Sequence, residues 1–250
     1  MASGVISIFI FTFQINMAAA QSDEPIFKES GGRLTFLDHD SNPLKEAVET
    51  ILARAYGPFD ISIDVKLTPS KRALQYNNSG LYDGELFRVP LVEADYPNLV
   101  KVPVEVGYIE FTAYSIRRDV TVKHWSDLSN YRVGAQLGVT KIEQEAKDFA
   151  VSWAPTLDAA FLMLASKRVD LVVASRLVAC DHLLRLKTEN PKLEGIHEVA
   201  VLERAPIYHY LTKTHAHLVP VLAEQLETLR RNGFIAATFE TMERKCGVAR

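Results

Sequence analysis

The chain lacks the signatures that mark most catalytic sites. Its 250 residues contain no G-x-S-x-G elbow, H-E-x-x-H, G-x-x-x-x-G-K-S/T or G-x-G-x-x-G pattern, which leaves no nucleophile elbow, zincin helix or nucleotide cradle. "GAQLGVTK" is only superficially like a phosphate loop, because its glycines are wrongly spaced and its Thr precedes its Lys. Cysteine is scarce: Cys180 and Cys246 are the only two, and no C-x-x-C occurs. They read as two separate structural thiols, although an oxidising compartment would permit a disulfide. Basic excess is missing as well. A formal net charge of -3 gives no means of neutralising phosphates and excludes nucleic acid as the expected partner. Past the first twenty residues no apolar run is long enough to cross a bilayer, and no low-complexity segment interrupts the chain. His209, His215 and His217 fall close together but form no recognisable three- or four-ligand set, so a solvated loop is preferred to a metal site.

What is present is a globular composition, 48% hydrophobic and 24% charged, enough for one larger or two smaller domains with a proper core. The N-terminus stands apart. "VISIFIFTF" (Val5 to Phe13) has the length of a signal-peptide apolar region, and Ala18-x-Ala20 supplies a small-x-small cleavage pattern. No Lys, Arg, Asp or Glu precedes Asp23, so the usual basic start is absent. Export with cleavage after Ala20 is the expectation; a buried N-terminal strand is the alternative.

Beyond the leader the periodicities alternate. "RLTFL" reads as a strand. Asn42 as N-cap and Pro43 at the first position then open a helix that Gly57-Pro58 closes. Its face is Leu44, Ala47, Val48, Ile51, Leu52 and Ala55, at spacings of three and four. "DISIDVKL" alternates as a half-buried strand, and Thr68-Pro69 starts a helix ending near Gly80. The same rhythm restarts at "YRVGAQLG", followed by "VTKIEQEAKDFA" as a helix, "FAVSW" as a strand, a helix from Pro155, and "VDLVVAS" as a strand buried on both faces. A helix from Arg176 to Lys187, return segments "HEVAVL" and "APIYHYLTK", and two helices split at Asn232-Gly233 complete the chain. This is an α/β protein of two lobes, the second inserted into the first. Its ligand is expected in the crevice between them.

Without catalytic motifs, the informative residues are those of recognition. Arg88 follows the turn chemistry of Gly80 and Asp83-Gly84 and stands among apolar neighbours. At a cleft it could hold a carboxylate by two parallel hydrogen bonds; at the surface it would mean little. Gly138-Val139-Thr140 marks a strand-to-helix handover, where free N–H groups and the Thr140 hydroxyl suit an anion. The bland reading is that Thr140 caps its own helix. Glu85 reads as a solvated strand-end carboxylate, or, on an enzymatic reading, as half of an acid–base pair. Asp170, in the turn before "LVVAS", reads as structural.

The order of these features resembles the periplasmic solute-binding proteins of family 3. "PSKRALQYNNSGLYDGELFR" is similar to the family's helix with a K-R-A-L core, then Gly, Asp and a downstream Arg. "YPNLVKVPVEV" is similar to its first crossing strand, and "HWSDLSNYRVGAQLGVT" to its W-x-D-L…VG…G-x-T segment. "LASKRVDLVVAS" and "THAHLVPVLAEQLETLRRNGFI" match its R-V-D strand and its terminal helix. The likeness spans residues 33 to 245. It implies a periplasmic-binding-protein-like fold: two Rossmann-like lobes joined by two crossing hinge strands, near Gly107 to Phe111 and Leu202 to Tyr208. The domains expected are a signal peptide (1–20), a discontinuous lobe 1 (33–108 plus 203–250) and an inserted lobe 2 (109–202).

By the same resemblance Arg88 is the carboxylate-binding arginine and Thr140 the hydroxyl that clasps the same group from the other lobe. Arg72, Gly138 and Tyr108 complete the ligand-binding set, with no cofactor, metal or catalytic residue. Two departures bear on the ligand. The loop "DHDSNP" carries no covering aromatic, and Ser175-Arg176 stands where amino-acid binders tend to have an Asp for the ammonium. They argue against a standard α-amino acid and for a ligand of more negative charge. The function implied is a non-enzymatic, monomeric periplasmic protein that binds a small polar solute for an ABC-type transporter permease. The alternatives are a dehydratase-like enzyme on the same scaffold, or a sensor or scaffold protein without solute binding.

Overall fold

All six apolar residues spaced for one helical face, from Leu44 to Ala55, are buried. The computed structural model describes residues 32–38, 43–90 and 95–246. The leader, its cleavage pattern and the Asn42 cap lie outside the described residues. Within them the chain forms β1 (Arg33–Asp38), α1 (Pro43–Tyr56), β2 (Ser62–Leu67), α2 (Ser70–Asn78), β3 (Gly84–Arg88) and β4 (Leu99–Ser115). There follow β5 (Val133–Gln136), α3 (Thr140–Glu145), β6 (Val151–Ala154), α4 (Leu157–Ala165), β7 (Leu171–Ser175) and α5 (Arg176–Glu189). The chain then runs through β8 (His197–Thr212), α6 (Val219–Arg231) and α7 (Phe234–Lys245).

The strands join one mixed sheet in the order β2-β1-β3-β8-β4-β7-β5-β6. Parallel pairs β1/β2, β1/β3, β5/β6 and β5/β7 sit towards the two ends, each the product of the strand–helix rhythm. Between them β4 and β8 run antiparallel over their whole length, from Leu99 opposite Thr212 to Ser115 opposite His197. These two strands thus belong to both halves of the sheet. β7 answers its reading: Leu171, Val172 and Val173 have no exposure. Burial of that kind is worth about 1.5–3 kcal/mol per large aliphatic side chain.

Several local expectations change. The helix expected over "VTKIEQEAKDFA" shortens to the six residues of α3. "HEVAVL" and "APIYHYLTK" are one strand, because pairing with β4 carries the chain straight through Pro206. β2 is an edge strand, and Leu67, placed on its buried face by alternation, is 51% exposed. Cys180 on α5 and Cys246, just past α7, are joined in a disulfide with Cα atoms 5.8 Å apart, where two separate thiols were expected. Sequence separation hides this approach, since the sheet folds residue 246 back against α5.

Two glycines set close approaches. A Cβ on Gly84 would lie 2.0 Å from the Tyr210 carbonyl oxygen, so the Asp83-Gly84 turn lets β3 meet β8 directly. Gly107, opposite Ile207, has φ +156 and leaves room for the Phe239 ring, which a Cβ would meet at 1.9 Å. The segment expected to bend is thereby the one on which α7 packs.

Candidate functional site

Ser70, Phe87, Arg88 and Val89 face Gly138, Val139, Thr140 and Ser175 across a cavity where the two halves of the sheet meet. Its volume is ≈ 80 Å³, small beside the several hundred Å³ of drug-sized sites, so it suits a compact solute. Leu44, Ile109, Phe111, Ile142, Leu157, Val173 and Val178 make most of the remaining wall apolar. Three of the five expected binding residues, Arg88, Gly138 and Thr140, are brought together here.

Arg88 sits at the end of β3, 9% exposed, in a network the sequence did not reveal. Its Nε donates to Glu85 Oε2 at 2.9 Å, and its Nη2 lies 2.7 Å from the same oxygen. Its Nη1 donates to Ser70 Oγ at 2.8 Å, while Glu85 Oε1 accepts from Asn77 Nδ2 at 2.8 Å. Although Nη2 is within ion-pair distance of Glu85, it makes no well-directed hydrogen bond and is itself buried. An arginine has five N–H donors; Nε and one hydrogen of Nη1 are committed and one hydrogen of Nη2 faces Glu85, so two remain.

Glu85 is fully buried, against its reading as a solvated carboxylate. Burial pushes its pKa up, and the Arg88 guanidinium and the Asn77 amide pull against that rise. Both of its oxygens are engaged, and it does not line the cavity. The pairing depends on a bulge. In a regular strand, residues three apart point to opposite faces. Here Glu85 opposes Tyr210 and Arg88 opposes Tyr208, so three steps on β3 match two on β8. The extra residue turns both side chains to one side.

The opposite wall is built differently. Val139 is the N-cap of α3 and makes no side-chain cap, and Thr140 is the first helical residue, so its hydroxyl does not serve as a cap. Among the described residues the hydroxyls of Thr140 and Ser175 and the amide of Gln136 make no hydrogen bond, and all three line the cavity. The Gly138 N–H is already engaged, donating to Glu143 Oε1 at 2.9 Å, and Glu143 Oε2 reaches Lys71 Nζ across the cleft at 3.1 Å. Lys141 also lines the cavity, with Nζ 2.8 Å from both Glu145 and Glu203. Burial draws its pKa down, but the two carboxylates outweigh this and hold it raised. Its charge is locally balanced.

Two expected binding residues lie elsewhere. Tyr108 and Ile109 alternate along β4, so Ile109 faces the cavity and Tyr108 the other side. There Tyr108 donates to Glu243, stacks on Phe239 with centroids 5.0 Å apart, and carries the Arg204 guanidinium 3.5 Å over its ring. Burial and the Glu243 hydrogen bond push its pKa up to about 12. Arg72 is exposed on α2; two residues past Ser70, it points around the helix and away from the cavity.

Arg176 does not enlarge the positive charge of the cavity either. It donates through Nε to both oxygens of Glu198 at 2.9 Å and through Nη1 to Glu110 at 3.1 Å. This removes the support for a more negative ligand. Asp170 has its structural role: it accepts from the Arg132 backbone and guanidinium, and these partners hold its carboxyl well below the usual range. His209 is buried in β8. Its Nδ1 donates to the Leu86 carbonyl at 3.0 Å, and its Nε2 accepts from the Tyr56 hydroxyl at 2.8 Å.

Two long antiparallel strands shared by two α/β halves, with a cavity walled by both, define a two-lobed periplasmic-binding-protein-like domain. Comparison with known proteins agrees at the level of fold. No family model matches the chain. A protein of Shewanella oneidensis, described as uncharacterized, is 25% identical over 193 residues, 74% of this chain and 71% of that one. Among solved structures, the GluR0 ligand-binding core in complex with L-glutamate gives a TM-score of 0.68 at 16% identity, covering 85% of this chain and 99% of that one. A histidine kinase sensor domain with similarity to periplasmic binding proteins gives 0.64 at 16%, covering 85% and 96%. The amino acid ABC transporter substrate-binding protein AbpA from Streptococcus pneumoniae, bound to L-arginine, gives 0.64 at 14%, covering 90% and 99%. These are binding and sensor domains rather than enzymes. At such identities the likeness establishes the fold.

Proposed function

We propose that this chain is an extracytoplasmic solute-binding protein that captures a small carboxylate-bearing solute between its lobes and delivers it to an ABC-type permease. One observation carries the reading: a buried arginine, held by Glu85 and Ser70, keeps N–H donors free at a cavity walled by both halves of the sheet. The lobes divide as residues 33–108 plus 203–250 and residues 109–202, and the paired segments 107–111 and 202–208 act as hinges. The solute carboxylate docks on Arg88 and Ser70, and Thr140 closes on it from the other lobe. Export as a monomer after removal of residues 1–20 places the binding protein where such a permease collects solutes.

Thermal-shift screening of the mature protein against small metabolites tests the reading, because a ligand that binds only the native state raises Tm. Carboxylates are expected among the hits, and scattering should show a more compact particle with each hit. A library without a single stabilising solute, and no compaction in scattering, would refute it.

A further inference from the structure

We propose that the solute is an apolar-bodied monocarboxylic acid whose α-substituent is an uncharged oxygen, a 2-oxo or 2-hydroxy acid, rather than a 2-amino acid. The inference rests on the solute-binding reading and narrows it. The cavity offers one cationic edge, the two remaining N–H donors of Arg88, and Glu85 already balances that charge. One carboxylate can share it; among the described residues a second would find no further cation, since Lys141 is held by Glu145 and Glu203.

Opposite Arg88 the wall presents Gln136, Thr140 and Ser175, three neutral groups with hydrogen-bonding capacity to spare. No carboxylate lines the cavity among the described residues, and Glu85 is fully buried behind Arg88. Among the described residues an ammonium there would meet no counter-charge, and desolvating it in that way is strongly unfavourable. A keto oxygen or hydroxyl loses little on entering, because an amide and two hydroxyls can receive it. The remaining surface, including Val89, Phe111, Val139, Ile142, Val173 and Val178, asks for a hydrocarbon body.

The test uses matched sets in which only the α-substituent changes: alanine, lactate and pyruvate, then leucine, 2-hydroxy-4-methylpentanoate and 2-oxo-4-methylpentanoate. Calorimetric titration of the wild-type mature protein should show an oxygen acid of at least one set binding about tenfold or more tighter than its amino counterpart. Ser175 occupies the N-cap position of α5 without using its side chain, and aspartate is equally suited to that position, so Ser175→Asp should invert that preference by supplying a counter-charge. An amino acid that binds the wild type as tightly as its oxygen analogue overturns the proposal. So does the absence of binding by every member of both sets. If another solute then stabilises the protein, only the assignment of class has failed; if none does, the solute-binding reading fails with it.

Discussion

The two walls of the cavity divide recognition between them in opposite ways. On the wall built by α2 and β3 the polar side chains are engaged before any ligand arrives: Arg88 with Glu85 and Ser70, and Glu85 with Asn77. On the wall built by β5, α3 and β7, the side chains of Gln136, Thr140 and Ser175 are neutral and free. The first wall fixes a charge in one geometry, so little ordering is left to oppose binding. The second can adjust its hydrogen bonds as it closes. A buried charge must be held by partners, whereas a neutral hydroxyl can wait without them.

Breaking the held wall should have the largest effect. Arg88→Ala leaves Glu85 buried without its cation, and losses of this kind run to about 3–5 kcal/mol. Chemical denaturation should show that loss, and any carboxylate ligand should bind at least tenfold more weakly. Arg88→Lys should recover little, because an ammonium cannot reproduce the planar fork. Full stability in Arg88→Ala would show that the pair contributes nothing. Next comes the covalent link from α5 to the end of α7. Cys180 and Cys246 are 66 residues apart, a loop whose closure entropy corresponds to about 4 kcal/mol. Melting of the double serine variant, with and without ligand, measures how far that tie supports both walls.

The held wall also has a pH weakness. His209, bonded to Leu86 two residues before Arg88, is buried and has its pKa lowered from 6.5 to about 4. The unfolded chain therefore takes up a proton below pH 6.5 that the folded chain refuses. Stability is complete above that pH and falls by ~3 kcal/mol as pH drops through 4. Denaturation midpoints across this range should show the slope, and His209→Gln should flatten it.

On the free wall the effects are smaller. Thr140→Ala should weaken carboxylate binding about fivefold, the worth of one hydrogen bond of ~1 kcal/mol, and leave Tm unchanged because Thr140 caps nothing. Smallest is the cross-cleft pair. Lys71 is 64% exposed, so Lys71→Ala should shift stability and affinity by less than ~1 kcal/mol, and less still in high salt.

Local pattern determined much of this protein. The three-and-four spacing of α1, the apolar run of β7 and the stop at Gly57-Pro58 fix elements within a few residues, so they were legible in the sequence. So was the order of strands and helices, and with it the two-lobed fold. Arg88, Gly138 and Thr140 stand at the ends of such elements, and the resemblance singled them out; that they line one cavity is what the structure adds. Tertiary structure decided the rest. A single bulge aims Glu85 at Arg88, and strand alternation sends Tyr108 to the far side of β4. Pairing with β4 makes β8 continuous, and the fold carries Cys246 back to Cys180. Each of these depends on which residue of another strand or helix lies opposite. That partner is chosen by pairing register and packing across the whole sheet, and no local stretch of sequence contains it.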